Sequence, residues 1–321
     1  MKKDLFDDIP VLDLNDFTTG DINKKNEFVK NLGNAFNNIG FVAIKNHGLT
    51  ESHIGKLYKI VQAFFNLPDE SKLKYMRPDL DMQRGYTQKE SEHAKGRNVG
   101  DLKEFYQIGQ LSGGESGAGY PPNVWPEEVP EFKEFTSSAY QTLEHAGLTL
   151  LEAIALYLNL PQHYFRDKVQ NGNSILRAIH YYPIVNPDKV PNGAVRAAEH
   201  GDINLITLLM GASADGLEIL RKDGEWIPVT ALPEQIVVNV GDMLARLTND
   251  VLISTIHRVV NPPKDKMHFS RYSIPFFLHP KSDMDLTCLE SCVSDDTPKQ
   301  YQNITAGEFL NERLAEIGLK K

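Results

Sequence analysis

Apolar and polar positions along the chain predict a helical first part followed by a strand-rich second part. Ile9-Pro10-Val11-Leu12-Asp13-Leu14 alternates after its proline and predicts a short strand. Phe28, Leu32, Ala35, Phe36 and Ile39 recur at helical spacing, and Gly40 follows where a helix commonly ends in a left-handed residue. Phe41 to Ile44 predicts a buried strand closed by the turn Asn46-His47-Gly48. Ile54, Leu57, Val61, Phe64 and Phe65 then mark a second amphipathic helix that Pro68 limits. Residues 77 to 125 are rich in Gly, Pro and charge, which predicts irregular structure with short strands. A further helical region covers roughly 130 to 160, with Tyr140, Leu143, Leu150, Ile154 and Leu158 on its apolar side.

From Asn173 the pattern changes to short apolar runs separated by turns: Ile175 to Tyr182, Asn204 to Met210, Gly216 to Leu220, Trp226 to Val229, Ile236 to Val240 and Arg271 to Leu278. Evenly spaced strands joined by tight turns pair antiparallel and predict a sandwich or barrel, with Asp223-Gly224 as one hairpin turn. A last helix starts at the capping box Thr305 and Glu308, with Phe309, Leu310, Leu314 and Ile317 on its apolar face. No internal repeat interrupts this order. The expected fold class is mainly β with flanking helices: an N-terminal helical and mixed region over residues 1–120 and a β core with a closing helix over 121–321, forming one compact unit.

Composition narrows the function classes. With 43 Asp and Glu against 34 Lys and Arg, a net charge of -9 argues against nucleic acid or an anionic membrane as the main partner. The N-terminal residues include two lysines but no apolar stretch behind them, so neither a secretory signal nor a membrane span is expected. Two cysteines alone, Cys288 and Cys292, fit a reducing compartment and a structural role; the reading is a cytoplasmic protein.

The chemistry concentrates in Glu199-His200-Gly201-Asp202. On a strand, residues i and i+2 project from one face, so His200 and Asp202 would aim an imidazole and a carboxylate at one point. His257, in Ser254-Thr255-Ile256-His257-Arg258-Val259, falls on another predicted strand that could meet them across the interior. Two imidazoles and one carboxylate leave metal positions open, as suits non-haem Fe(II) and its oxygen chemistry. The same ligand count also serves zinc hydrolases. Arg271 and Ser273, again at i and i+2, can clamp a carboxylate through a guanidinium fork and a hydroxyl, which points to an organic acid as co-substrate. The plain alternative is that Arg271 pairs with a surface acid.

These residues, with Gly40-Phe41-Val42-Ala43-Ile44-Lys45-Asn46-His47-Gly48, Asp101-Leu102-Lys103-Glu104-Phe105, Tyr181-Tyr182-Pro183, Asn239-Val240-Gly241-Asp242 and Leu247-Thr248-Asn249-Asp250, form an ordered series that runs nearly end to end. The chain resembles the isopenicillin N synthase-like branch of the Fe(II)- and 2-oxoglutarate-dependent oxygenases. That resemblance implies a double-stranded β-helix, or jelly roll, flanked by helices. It implies His200, Asp202 and His257 as iron ligands, and Arg271 and Ser273 as the clamp on the distal carboxylate of 2-oxoglutarate, with Tyr182 as a further contact. It also implies reaction with O2, release of succinate and CO2, and oxidation of a small-molecule substrate by hydroxylation, desaturation or cyclisation.

Where plant members usually read Asn-Tyr-Tyr-Pro, this chain has His180-Tyr181-Tyr182-Pro183, and His180 is expected to be a hydrogen-bonded strand residue. Substrate contacts are expected from Arg84, Tyr86 and Phe105, with Arg84 as a partner for an acidic group or, alternatively, a solvated loop charge. One rival reading is an iron oxidase or cyclase like isopenicillin N synthase, in which the Arg-x-Ser pair holds the substrate and no 2-oxoglutarate is used. Another is a jelly roll that binds or senses a small molecule without turnover.

Overall fold

The computed structural model describes residues 8–91, 100–111, 119–191, 193–211, 215–230 and 232–316. In chain order its elements are β1 (Val11–Asp13), α1 (Leu14–Thr18), α2 (Ile22–Asn38), β2 (Phe41–Lys45), α3 (Glu51–Phe65), α4 (Asp69–Leu73), β3 (Gly85–Thr87) and β4 (Glu104–Ile108). They continue with α5 (Glu131–Tyr157), α6 (Arg166–Val169), β5 (Ile175–Tyr181), β6 (Ala197–His200), β7 (Ile206–Met210), β8 (Leu217–Leu220), β9 (Trp226–Pro228) and β10 (Gln235–Val240). The last are α7 (Asp242–Leu247), β11 (His257–Val259), β12 (Arg271–Leu278) and α8 (Ala306–Glu316).

Two sheets form a mixed β core flanked by helices. The larger has strand order β1-β2-β10-β7-β12-β5-β4-β3 and the smaller β6-β11-β8-β9. Only β1 with β2 is parallel among these pairs. Alternation along the large sheet divides its side chains cleanly. Val42, Ile44, Ile108, Leu176, Leu208, Ile236, Ile274 and Phe276 pack against the helices, in one cluster with Phe36, Phe64 and Leu150. The other face meets the small sheet: Phe41, Ala43 and Val237 with Ile219 and Ile227, and Phe105, Ile179 and Tyr181 with Ala197 and Val259. A period of two therefore gives each strand one helix-facing and one interior row.

Local chemistry explains the helix ends. Asp21 accepts from the backbone N–H groups of Asn23 and Lys24, Thr50 from that of His53, and Gly40 takes φ +74° after α2. The capping box holds: Thr305 N–H donates to Glu308 Oε2 at 2.9 Å and Glu308 N–H to Thr305 Oγ1 at 3.3 Å. Ile317, expected on the apolar face of that helix, lies outside the described residues.

Two expectations change. Leu14 opens α1 instead of ending the first strand, because Asp13 caps a helix there by accepting from Asn15 N–H. Asp242–Leu247 is a helix that a short segment between two motifs concealed.

Candidate metal centre

His200 is the last residue of β6, and Asp202 lies beyond it, where the chain has left the strand. The expected same-face geometry of a continuous strand is thus not what joins them. Gly201 and Asp202 form the entry to a loop pinned by the start of α7, where Asp242 N–H donates to Asp202 O at 2.7 Å and Gly241 N–H to Leu205 O at 2.9 Å. A Cβ on Gly241 would sit 2.2 Å from Asn204 O, so glycine is what lets the two segments meet. His257 also arrives differently from the expectation: β11 lies beside β6 in the same sheet, with His257 in register with His200, not across the interior.

The result is a cluster whose ligand atoms all lie within 4.8 Å of one another: His200, Asp202 and His257. Each residue is already turned toward a metal by its other atoms. His200 Nδ1 lies 2.7 Å from Ala198 O and His257 Nδ1 lies 3.2 Å from Thr255 O. A carbonyl accepts only, so both Nδ1 atoms carry the proton and both Nε2 lone pairs face the cluster. Asp202 Oδ2 accepts from Thr207 Oγ1 at 2.6 Å and Asn239 Nδ2 at 2.8 Å, leaving Oδ1, which lies 3.8 Å from His257 Nε2. Thr207 and Asn239 are in register on β7 and β10, so two strands of the large sheet support the carboxylate.

Electrostatics favour the ligand forms. Burial, and then His257, lowers His200 to about 4, which keeps it neutral. Burial raises the Asp202 carboxyl, but both imidazoles and the bonds from Asn239 and Thr207 bring it below its ordinary value. A neutral His200, the Nε2 of His257 and an ionised carboxylate fit a non-haem iron. Asp101 braces this strand from behind: its Oδ1 accepts from Ala198 N–H at 3.2 Å and its Oδ2 takes Lys103 Nζ at 2.8 Å.

The remaining candidates divide by face. Arg271 and Ser273 lie buried on the interior row of β12, and Arg271 Nε donates to Asp215 O at 3.1 Å. Arg271 is in register with Tyr181, with the guanidinium 5.0 Å from that ring's centre. Tyr182, the expected co-substrate contact, points elsewhere: its hydroxyl donates to Glu90 at 2.7 Å and its ring packs with Leu102, Ile184 and Ala194. The tyrosine beside Arg271 is therefore Tyr181, one residue earlier.

Phe105 is on the interior row. Tyr86 is not: it faces the helices and donates to Glu104 at 2.5 Å. Arg84 is fully buried, so the solvated alternative fails; its Nη1 donates to Gln83 O at 2.7 Å, its guanidinium lies over Gly109, and Tyr140 of α5 is nearby. His180 also faces the helices, bonded to Glu104 at 2.7 Å and Ser270 at 3.0 Å and stacked on Tyr272.

Sequence reasoning missed Arg177 and His279. Arg177 donates from Nη2 to Gln107 Oε1 at 2.9 Å and lies 4.2 Å from the Phe105 ring centre and 5.4 Å from that of Phe277. His279 follows β12; burial lowers it to about 4, with Asp202 raising it and Arg177 lowering it. A lone arginine among the apolar residues of β5 was the available signal.

Comparison with known proteins matches this geometry to a family. Residues 9–128 fit the model described as non-haem dioxygenase in morphine synthesis, N-terminal, and residues 172–280 that of the 2OG-Fe(II) oxygenase superfamily. The proline hydroxylase buaE of Petromyces alliaceus is 34% identical, over 95% of this chain and 98% of its own length. The chain belongs to the 2OG-Fe(II) oxygenases. A family member from Caulobacter crescentus, solved by crystallography, is 43% identical with a TM-score of 0.84, covering 96% of this chain and 99% of its own. A full-length Neurospora crassa protein, crystallised in complex with alpha-KG, is 33% identical with a TM-score of 0.84, covering 96% of each chain. The protein is thus an Fe(II)/2-oxoglutarate-dependent oxygenase that oxidises a small molecule, and the non-catalytic reading falls away.

Proposed function

We propose that the enzyme belongs to the isopenicillin N synthase-like branch. The two sheets form a double-stranded β-helix, the N-terminal region (1–120) and the core (121–321) make one compact unit, and Arg271 and Ser273 clamp the distal carboxylate of 2-oxoglutarate. Strand orders β5-β12-β7-β10 and β6-β11-β8-β9 support the jelly roll, and β2 and β4 at the two flanks of the large sheet support a single unit. The observation that carries the clamp is the position of Arg271 and Ser273, both buried on the interior face of the strand that runs beside β7.

When bound, the iron with 2-oxoglutarate and dioxygen supplies oxidative decarboxylation and the oxidation of a C–H bond. The chain's own tasks are positional. His200 and His257 present Nε2 because carbonyls hold Nδ1, and Asp202 presents Oδ1 because Thr207 and Asn239 hold Oδ2. Tyr181 takes the role first expected of Tyr182 and stacks beside the clamp. Phe105, Arg177, Phe277 and His279 border the substrate: rings for a flat or apolar body, a guanidinium and a neutral imidazole for its polar groups. No helix among the described residues is long and apolar enough to cross a membrane. Two free, buried thiols support a cytoplasmic setting.

The test is an anaerobic titration of the iron-loaded protein with 2-oxoglutarate. Wild type should develop a weak visible charge-transfer band that saturates, and Arg271→Leu should keep its iron but require at least about tenfold more 2-oxoglutarate. Saturation of Arg271→Leu at the wild-type concentration would refute the clamp. Absence of any band in wild type would favour an oxidase that uses no 2-oxoglutarate.

A further inference from the structure

Arg196 immediately precedes β6 and is 3% exposed. Its Nη2 donates to Phe269 O at 3.0 Å, just before β12, while its buried Nε has no partner. Among the described residues no carboxylate pairs with it. Its guanidinium lies 6.0 Å from the ring centre of Tyr181, the same ring that Arg271 approaches to 5.0 Å. The two cations feel each other: burial, and then the charge of Arg271, takes Arg196 down to about 10.

A buried guanidinium without a counter-ion is costly, and a second cation beside it raises the cost. Such an arrangement is stable when an anion completes it. A carboxylate has two oxygens and about four lone-pair sites, enough for donors from two guanidiniums and a hydroxyl. The neighbouring elements supply such a place, because Tyr181, Arg271 and Ser273 all lie on the interior rows of β5 and β12.

We infer that Arg196 is a second cationic arm of the co-substrate pocket, bracketing the distal carboxylate of 2-oxoglutarate together with Arg271 and Ser273. This rests on the clamp assigned above. Its consequence is selectivity: a pocket with two guanidiniums rejects a 2-oxo monoacid, which leaves Arg196 without a counter-charge, more strongly than a pocket with one would. It also means that the ligand-free protein holds an unneutralised buried charge which binding relieves.

The experiment compares iron-loaded wild type, Arg196→Met and Arg271→Leu by anaerobic calorimetry, with 2-oxoglutarate and with 2-oxopentanoate, the analogue lacking the distal carboxylate. Thermal melting is followed with and without each ligand. Arg196→Met should weaken 2-oxoglutarate by about tenfold or more and 2-oxopentanoate by less than about twofold. Its ligand-free melting temperature should equal or exceed that of wild type, since an uncompensated charge has gone, while stabilisation by 2-oxoglutarate shrinks. Wild-type affinity in Arg196→Met, or equal losses for the two acids, overturns the inference. If Arg271→Leu behaves as expected while Arg196→Met does not, the failure belongs to Arg196 alone. If Arg271→Leu binds 2-oxoglutarate normally, the clamp fails and the inference with it.

Discussion

Replacing Glu104 by Gln should destabilise the protein by about 3 kcal/mol at neutral pH, and two routes to that magnitude agree. Glu104 is fully buried on the helix-facing row of β4. It accepts from Lys72 Nζ at 2.8 Å, Tyr86 at 2.5 Å and His180 Nδ1 at 2.7 Å. Burial alone would raise its pKa, but the bonds from His180, Lys72 and Tyr86 prevail and take it to about 2 from 4.5. At roughly 1.4 kcal/mol per tenfold change in proton affinity, that difference corresponds to about 3 kcal/mol. The second route starts from Lys72, whose side chain is 3% exposed. Removing one partner of a buried ion pair costs roughly 3–5 kcal/mol. Asp69 still holds the ammonium at 2.9 Å from the surface, which places the cost at the lower end.

Urea unfolding of wild type, Glu104→Gln, Lys72→Met and the double variant at pH 7.5 measures this. The double variant should lose less than the two singles combined, because it leaves no charge stranded. The pH dependence has a definite sign. A carboxyl held below its unfolded value contributes fully above about pH 4.5, and the contribution fades as pH falls through about 2. The gap between wild type and Glu104→Gln should therefore narrow on acidification. A gap under about 0.5 kcal/mol at pH 7.5, or one that widens in acid, would refute the reasoning. Iron stoichiometry should be unchanged, since the network lies on the face of the sheet away from the metal cluster.

Asn239→Ala removes one of the two donors that hold Asp202 Oδ2. Iron affinity, read by chelator competition, should fall roughly 10- to 100-fold while the fold persists. Tyr181→Phe and Tyr182→Phe distinguish the two tyrosines: anaerobic 2-oxoglutarate titration should be shifted by the first and unmoved by the second, whose hydroxyl serves Glu90. The opposite result would restore the original assignment.

The ligand triad was legible because its chemistry resides in residue types: no structural role requires His-x-Asp, a distant His and Arg-x-Ser in that order. How the ligands converge was not legible. Spacing suggested one strand and a second facing it, whereas a loop held by Gly241 and two neighbouring strands do the work. The apolar runs located β2, β5, β7, β10 and β12 of the large sheet but not β4, which lies in the stretch expected to be irregular with short strands. Tyr182 rests on the resemblance, and it is the pairing of β5 with β12 that puts Tyr181, not Tyr182, in register with Arg271.

Three arginines share one property, a charge that suggests the surface. Sequence reasoning leaves Arg177 and Arg196 unplaced for that reason, and Arg84, expected as a substrate contact or a solvated loop charge, is fully buried. Arg84 and Arg196 are buried beside a glycine, an aromatic ring and backbone carbonyls, and Arg177 is half-buried beside the Phe105 and Phe277 rings with the Gln107 amide oxygen as a partner. Such burial is unfavourable for the protein alone. Arg196 shows why it persists in an enzyme whose co-substrate carries two carboxylates, because the missing half of the interaction arrives with the ligand. A charge that the fold leaves uncompensated is thus a trace of a ligand, visible only once three-dimensional packing shows that no side chain answers it.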